Sequence, residues 1–418
     1  MYRKLLIFVI LVFALTHLGI NILSAKVITS QKTIDAYAEP HTPKEFNKVG
    51  LVIKKKDGTL SKTLVICISG WRVGTAWFKY LADYLAEHGI DVCLLNRRQT
   101  LLENRPLFFH DVRILMRSTE KSFPAGKKIA QYSYSHDLSF IKYWGMDTQV
   151  RDIKTVVDEF SVQYSNIYLC GWSAGVSYII RFVLKYYYPK IKGLIFLDGC
   201  GHWHGYSIEK IKEFYAKRKK EIEQGNLFVK TEPDLFYLQY LFWAAKHFPT
   251  KGASCLSSIF HGNREITYFD LLNQIFSPNG GKDEWFYKFM FNKDKYFKVK
   301  LQRLVDADHD SCHLWEWFYP QAVSLDYWDF GLKLKKGKVK IHPGYAQIPI
   351  LNIKCSGTSK YGKDSIREMM IYFQKIGFNK DQIQNVYLEP FYHADIFIPE
   401  IARSVVFDPI IKFIKKNR

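Results

Sequence analysis

One serine in the chain is set up to work as a nucleophile. Ser173 lies in Asn166-Ile-Tyr-Leu-Cys-Gly-Trp-Ser-Ala-Gly175, where strand-forming residues run into Gly-Trp-Ser-Ala-Gly. Val176, Ile179, Ile180, Val183 and Leu184 follow at spacings of three and four, so the stretch predicts strand, sharp turn, helix. A serine at the tip of such a turn holds a strained backbone and exposes its hydroxyl. Gly171 and Gly175 are required because a side chain two residues to either side would strike the neighbouring strand or helix. The plain alternative is an ordinary turn whose serine only caps the helix. A serine hydroxyl is a poor nucleophile at neutral pH. Acyl-transfer chemistry at Ser173 therefore needs a base within hydrogen-bond reach and a carboxylate that fixes the tautomer of that base.

Strand, Gly-x-Ser-x-Gly and helix together resemble the nucleophile elbow of the α/β-hydrolase family. The resemblance implies a mainly parallel sheet flanked by helices, a large and mostly helical cap insertion, and catalytic residues in the chain order Ser, acid, His. In that family the histidine follows the last strand. Here Glu389-Pro-Phe-Tyr-His393-Ala-Asp395 follows the last predicted strand, and its Phe-Tyr-His-Ala-Asp-Ile-Phe resembles the histidine loop of capped lipases of this fold. His393 is the base so implied. For the acid, many members use the strand that here ends at Cys355, but Ser356 to Gly362 holds no carboxylate and the first is Asp364. Other members, pancreatic-type lipases among them, place it after the strand that follows the elbow helix, where Asp198 stands. Asp198 is preferred, because it sits at a strand's C-terminal end on the same edge as Ser173, where ligand sites of open α/β sheets gather. Asp364 stays a second candidate. Asp395, two residues from His393, is expected to brace its loop.

The resemblance also implies an oxyanion hole made of the backbone N–H groups of Ala174, just after the nucleophile, and Trp71, in the loop Ser69-Gly70-Trp71-Arg72. Two fixed donors of this kind lower the barrier by about 3 kcal/mol each. The loop lacks the His-Gly-Gly-Gly form of some lipases and esterases, so Trp71 is assigned by position.

Other elements have to hold these groups. Strands are predicted at 49–55, 62–68, 90–95, 193–197, 348–355 and 385–388, with a turn at Lys56-Asp57-Gly58 joining the first two. Helices are predicted after Trp71 (Trp77, Leu81, Leu85, stopping at Gly89), over 147–160, over 364–375 and towards Ile414. Residues 26–48 are polar with two prolines and read as a tether or arm, and 97–144 as an irregular insertion near the site with one short helix. The organisation expected is a signal peptide or membrane anchor over 1–25, a first core part over 26–201, a cap over 202–345 and a second core part over 346–418. The cap is rich in aromatic residues, among them Trp203, Phe236, Tyr237, Phe242, Trp243, Phe286, Trp315, Trp317, Phe318 and Trp328. They suit a lid over an apolar pocket, and a second hydrophobic core would read much the same.

Composition bounds the rest. The chain has 418 residues, 48% of them hydrophobic and 24% charged, as in a globular protein. Lys and Arg exceed Asp and Glu by 20, which makes an anionic membrane surface or envelope polymer a conceivable partner. No nucleic-acid motif accompanies that charge, so no nucleic-acid partner is expected. Tyr2-Arg3-Lys4 precedes an apolar run from Leu5 to Leu23 that ends at Ser24-Ala25, the pattern of an exported or membrane-anchored protein. Of seven cysteines, Cys67, Cys93, Cys170 and Cys355 fall in apolar strands, and one pair among Cys200, Cys255 and Cys312 has the freedom to oxidise. Asp306, Asp308, His309, Asp310 and His313 imitate a metal cluster but follow no hard-cation loop template, so no metal and no cofactor is expected. A small-molecule or lipid ester is the substrate class these features favour. A second reading is a surface protein on the same scaffold, binding anionic polymers or lipids without turnover.

Overall fold

In the computed structural model, residues 26–117, 129–199, 206–229, 235–249, 267–276, 290, 294–308, 312–357 and 364–418 are described. The seven expected strands and one further edge strand assemble into one eight-stranded sheet of order β1-β2-β4-β3-β5-β6-β7-β8. These are β1 (Val27–Asp35), β2 (Lys48–Lys56), β3 (Thr63–Ile68), β4 (Asp91–Asn96), β5 (Asn166–Trp172), β6 (Ile191–Leu197), β7 (Ile350–Cys355) and β8 (Ile383–Leu388). From β4 through β3 to β8 every neighbouring pair is parallel, and β2 alone runs against the rest.

The central strands are apolar on both faces, because both are covered. Val65, Cys67, Cys170, Trp172 and Leu197 enter the core on one side, and Leu64, Ile66, Leu169, Leu194 and Phe196 the core on the other. Period-two alternation thus divides each strand between two cores. On the first face lie α1 (Lys79–Glu87) and the C-terminal helix Asp408–Lys416; on the second lie α3 (Met146–Ser161), α4 (Gly175–Lys185) and Phe373 of the helix Asp364–Ile376. Between α1 and α3, α2 (Arg105–Arg117) follows β4, so the helix expected in this irregular insertion is present and runs for 13 residues.

Two expectations at the N-terminal side need correcting. Within 26–48, read as a tether, Val27–Asp35 is an edge strand laddered to β2 from Val27↔Lys56 to Asp35↔Lys48. Most of its side chains are exposed, so it never shows the apolar alternation that marks a half-buried strand. The strands read as joined by Lys56-Asp57-Gly58 are consecutive but not neighbours, since β4 lies between β2 and β3.

Between β6 and β7 run α5 (Ile208–Glu223), α6 (Leu235–His247), α7 (Tyr268–Ile275), α8 (Phe297–Ala307) and α9 (Gln321–Lys335). Phe242, Trp243, Trp315 and Trp317 from this insertion join the core of the first sheet face. These four aromatic side chains are therefore packing, whereas Trp203 and Phe286 lie outside the described residues. The segment 1–25, read as signal or anchor, lies outside the described residues. Among the described residues no helix is long and apolar enough to cross a membrane.

Candidate active site

Three turns converge at the C-terminal edge of the sheet, after β3, β5 and β6. Arg72, Ser173 and Asp198 in these turns have φ of 59°, 56° and 41°, and they are the non-glycine residues at positive φ among those described. Such backbone is costly for a residue with a side chain and persists where the surroundings enforce it. At the Ser173 turn the enforcing contact is close packing: a Cβ on Gly175 would stand 2.2 Å from the Ile68 carbonyl oxygen. Ser173 N–H donates to Leu197 O at 3.0 Å and Asp198 N–H to Ile353 O at 2.7 Å, which continues the Trp172↔Leu197↔Ile353 register by one residue. Serine and aspartate therefore leave adjacent strands at the same level.

Asp198 meets His393. Their Oδ2 and Nδ1 atoms are 2.6 Å apart and both side chains are buried. The other oxygen, Oδ1, accepts the Cys355 N–H at 3.1 Å and lies 3.4 Å from Lys354 Nζ, also buried. Burial works to raise the Asp198 pKa, but Lys354, His393 and the Cys355 amide outweigh it and hold the carboxyl well below its ordinary value. For His393, burial lowers the pKa below 6.5, Asp198 pulls the other way, and Lys354 adds to the lowering. The imidazole is thus neutral at pH 7, the state a base must start from. Trp172, the residue before Ser173, packs its ring 4.8 Å from the imidazole and donates Nε1–H to His393 O at 3.2 Å. Asp364, the second candidate acid, opens the helix Asp364–Ile376, and the Nδ1 of His393 is already taken by Asp198. Asp395 accepts the Tyr392 N–H at 3.0 Å and pairs with Lys300 of α8 at 2.9 Å, so it fastens the histidine loop to the insertion.

The loop after β3 passes directly over Ser173. A Cβ on Gly70 would lie 2.8 Å from Ser173 Cβ, so glycine is what lets the loop come this close. Arg97, just past β4, grips it from behind: Nη1 donates to Ser69 O (3.3 Å), and Nη2 to Gly70 O (2.7 Å) and Val73 O (3.1 Å). Arg97 in turn is held by both oxygens of buried Glu316, at 2.9 and 2.6 Å. In a trans peptide, C=O and N–H point in opposite directions. Holding the Gly70 carbonyl therefore turns the Trp71 N–H away from Arg97. Among the described residues nothing accepts a hydrogen bond from the backbone N–H of Trp71 or of Ala174. The Ala174 N–H stands at the N-terminus of α4, where the helix dipole favours developing negative charge.

Trp71, Ser173 and Ala174 line one cavity of about 120 Å³, together with Tyr319, Tyr327 and Trp328 from the insertion. Of the aromatics that line it, Tyr178 and Tyr319 also belong to the core of the second sheet face, and Tyr327 and Trp328 pack against that core. Arg97, Glu316, Lys354 and Trp172 were not nominated from sequence. Arg97 had a signal, in the paired arginines that close a buried strand, and so had Lys354, a lone charge within Ile350-Leu-Asn-Ile-Lys-Cys355. Asp308 is buried and accepts the Leu314 N–H (3.1 Å) and a Gln239 N–H (2.5 Å), whereas His309 and Asp310 lie outside the described residues. Among the described residues no cluster of three or more metal-ligating groups forms. Cys312 is buried, and Cys200 and Cys255 lie outside the described residues.

Among solved structures, the chain is similar over most of its length to a lipase candidate from Sulfolobus solfataricus, with a TM-score of 0.58, 16% identity, and coverage of 94% of this chain and 95% of that one. Looser likenesses are to a highly thermostable carboxyl esterase from Bacillus coagulans (TM-score 0.49, 14% identity, 93% and 98% coverage) and an α/β-hydrolase fold protein from Nakamurella multipartita (0.45, 12%, 92% and 99%). No protein-family model matches the sequence, and no curated protein sequence matches it. At such identities the likeness is one of fold. The chain has the α/β-hydrolase fold, with a helical insertion between β6 and β7.

Proposed function

We propose that the chain is a serine hydrolase of carboxylic esters with an apolar portion, working through Ser173, His393 and Asp198 and an acyl-enzyme intermediate. The observation that carries this is the Asp198–His393 pair, 2.6 Å apart and buried, packed on the residue that precedes Ser173. In the first step His393 Nε2 takes the Ser173 proton as Oγ bonds to the ester carbonyl carbon. The oxygen that becomes negative meets the N–H groups of Trp71 and Ala174. Collapse of the tetrahedral intermediate breaks the bond to the alcohol, which leaves with the proton from His393. A water, deprotonated by the same imidazole, then releases the acid and restores the serine. Throughout, Asp198 stays ionised and stabilises the imidazolium.

A fluorophosphonate probe should label Ser173 in the wild type, and short-chain p-nitrophenyl esters should turn over. Labelling that persists in Ser173→Ala would refute the assignment. From the apolar run 5–23 we further propose export or membrane tethering, expected as recovery of the protein in an envelope fraction. Recovery in the cytosolic fraction, with the segment intact, would contradict it.

A further inference from the structure

We infer that the ester taken by this site carries a carboxylate, and that Arg218 recognises it. This deepens the serine-hydrolase reading and rests on it. Arg218 projects from α5 into the same cavity as Ser173 and Ala174, and it is the one charged side chain among the described residues that line it. The other walls include Trp71, Tyr178, Tyr319, Val323 and Trp328. An arginine facing such walls, its side chain 25% exposed, loses much of its hydration and has to recover it from partners.

The protein supplies one partner. Glu221, three residues along α5 and not itself at the cavity, meets Nη1 at 2.6 Å, and the same carboxylate oxygen takes a hydrogen bond from Gln321. Among the described residues no other acceptor is bonded to the guanidinium. Glu221 therefore orients Arg218 from behind through one N–H. Nε and Nη2 remain as two donors in one plane, the fork that matches the two oxygens of a carboxylate. A single guanidinium already sharing its charge suits a monoanion better than a phosphate dianion, which calls for more donors. The cavity is close in size to one of about 150 Å³ that accommodates benzene. The carboxylate and the scissile carbonyl are then separated by only a short carbon chain. A net charge of +20 raises the concentration of anionic substrates near the mouth.

Two esters of equal acyl length test this: mono-4-nitrophenyl glutarate, which ends in a carboxylate, and 4-nitrophenyl pentanoate, which does not. At low salt the wild type should favour the first by about tenfold or more in kcat/KM, and Arg218→Met should erase that ratio. Arg218→Lys, which keeps the charge but loses the fork, should fall between. A wild-type ratio near one, or a ratio unmoved in Arg218→Met, overturns the inference. Binding in Ser173→Ala separates it from the catalytic reading. There, monomethyl glutarate should bind more tightly than methyl pentanoate, and adding Arg218→Met should abolish the difference. Selective binding of the anion without turnover of either ester by the wild type would sink the hydrolase assignment and keep the anion site. Equal turnover of both esters would do the reverse.

Discussion

Two buried charged clusters flank Ser173, and they act on the site by different means. On one side Lys354, Asp198 and His393 form a line of side chains ending in the imidazole, so the charge acts directly on the group proposed as the base. On the other, Arg97 and Glu316 touch no reacting group. Arg97 holds three carbonyls of the loop after β3 and thereby sets the direction of one amide. In the proposed mechanism the first cluster sets a protonation state, and the second an orientation. Losses on the first side should therefore alter the pH profile as well as turnover, and those on the second kcat alone.

The largest effects belong to the first side. Ser173→Ala or His393→Ala should reduce ester turnover by roughly 10⁵- to 10⁶-fold, since removal of either member of such a unit costs nearly the whole of its contribution. Asp198→Asn should cost on the order of 10⁴-fold, because an amide stabilises the wrong tautomer of the base. Asp364→Asn should stay within about twofold of wild type. Steady-state kinetics on one ester series would check all four, and a collapse in Asp364→Asn with Asp198→Asn active would exchange the roles of the two acids.

Arg97→Met comes next. It should lower kcat by roughly 10- to 100-fold with KM little changed, because the donor it orients is needed most by the oxyanion. It also strands Glu316 in the core, a loss of roughly 3–5 kcal/mol of stability. The double variant Arg97→Met/Glu316→Met separates the two effects. Removing both charges should restore much of the Tm and leave kcat low. Recovery of kcat together with Tm would reduce Arg97 to a structural role.

The same contrast explains what the sequence could reveal. The elbow was readable because glycine spacing and a change of hydrophobic period both mark it, and Asp198 because it directly ends an apolar run. Arg97 and Glu316 lie 219 residues apart, and the acceptors that give Arg97 its meaning are backbone carbonyls, which have no letter in the sequence. β1 escaped notice for a different reason: an edge strand wet on both faces carries no burial pattern to read. The order of β2, β4 and β3 depends on which strands pair across the chain, and local patterns do not encode that.

Lys354 should give the smallest and most diagnostic change. Its ammonium lies 3.4 Å from Asp198 and helps keep both the carboxyl and the imidazole pKa low. In the wild type His393 therefore stays neutral below its ordinary 6.5, and the acid limb of kcat/KM should fall on that side. Removing the cation in Lys354→Met lets the imidazolium form more readily. The limb should move up in pH, while the plateau at higher pH changes by about tenfold or less. The Asp198 pKa lies below its ordinary 3.8, so its pairing adds stability above that pH and loses it as pH falls. The Tm deficit of Lys354→Met should then be largest near neutrality and shrink in acid. An acid limb that stays put or moves down would show that Lys354 only packs against the aspartate, and that both clusters around Ser173 act through geometry.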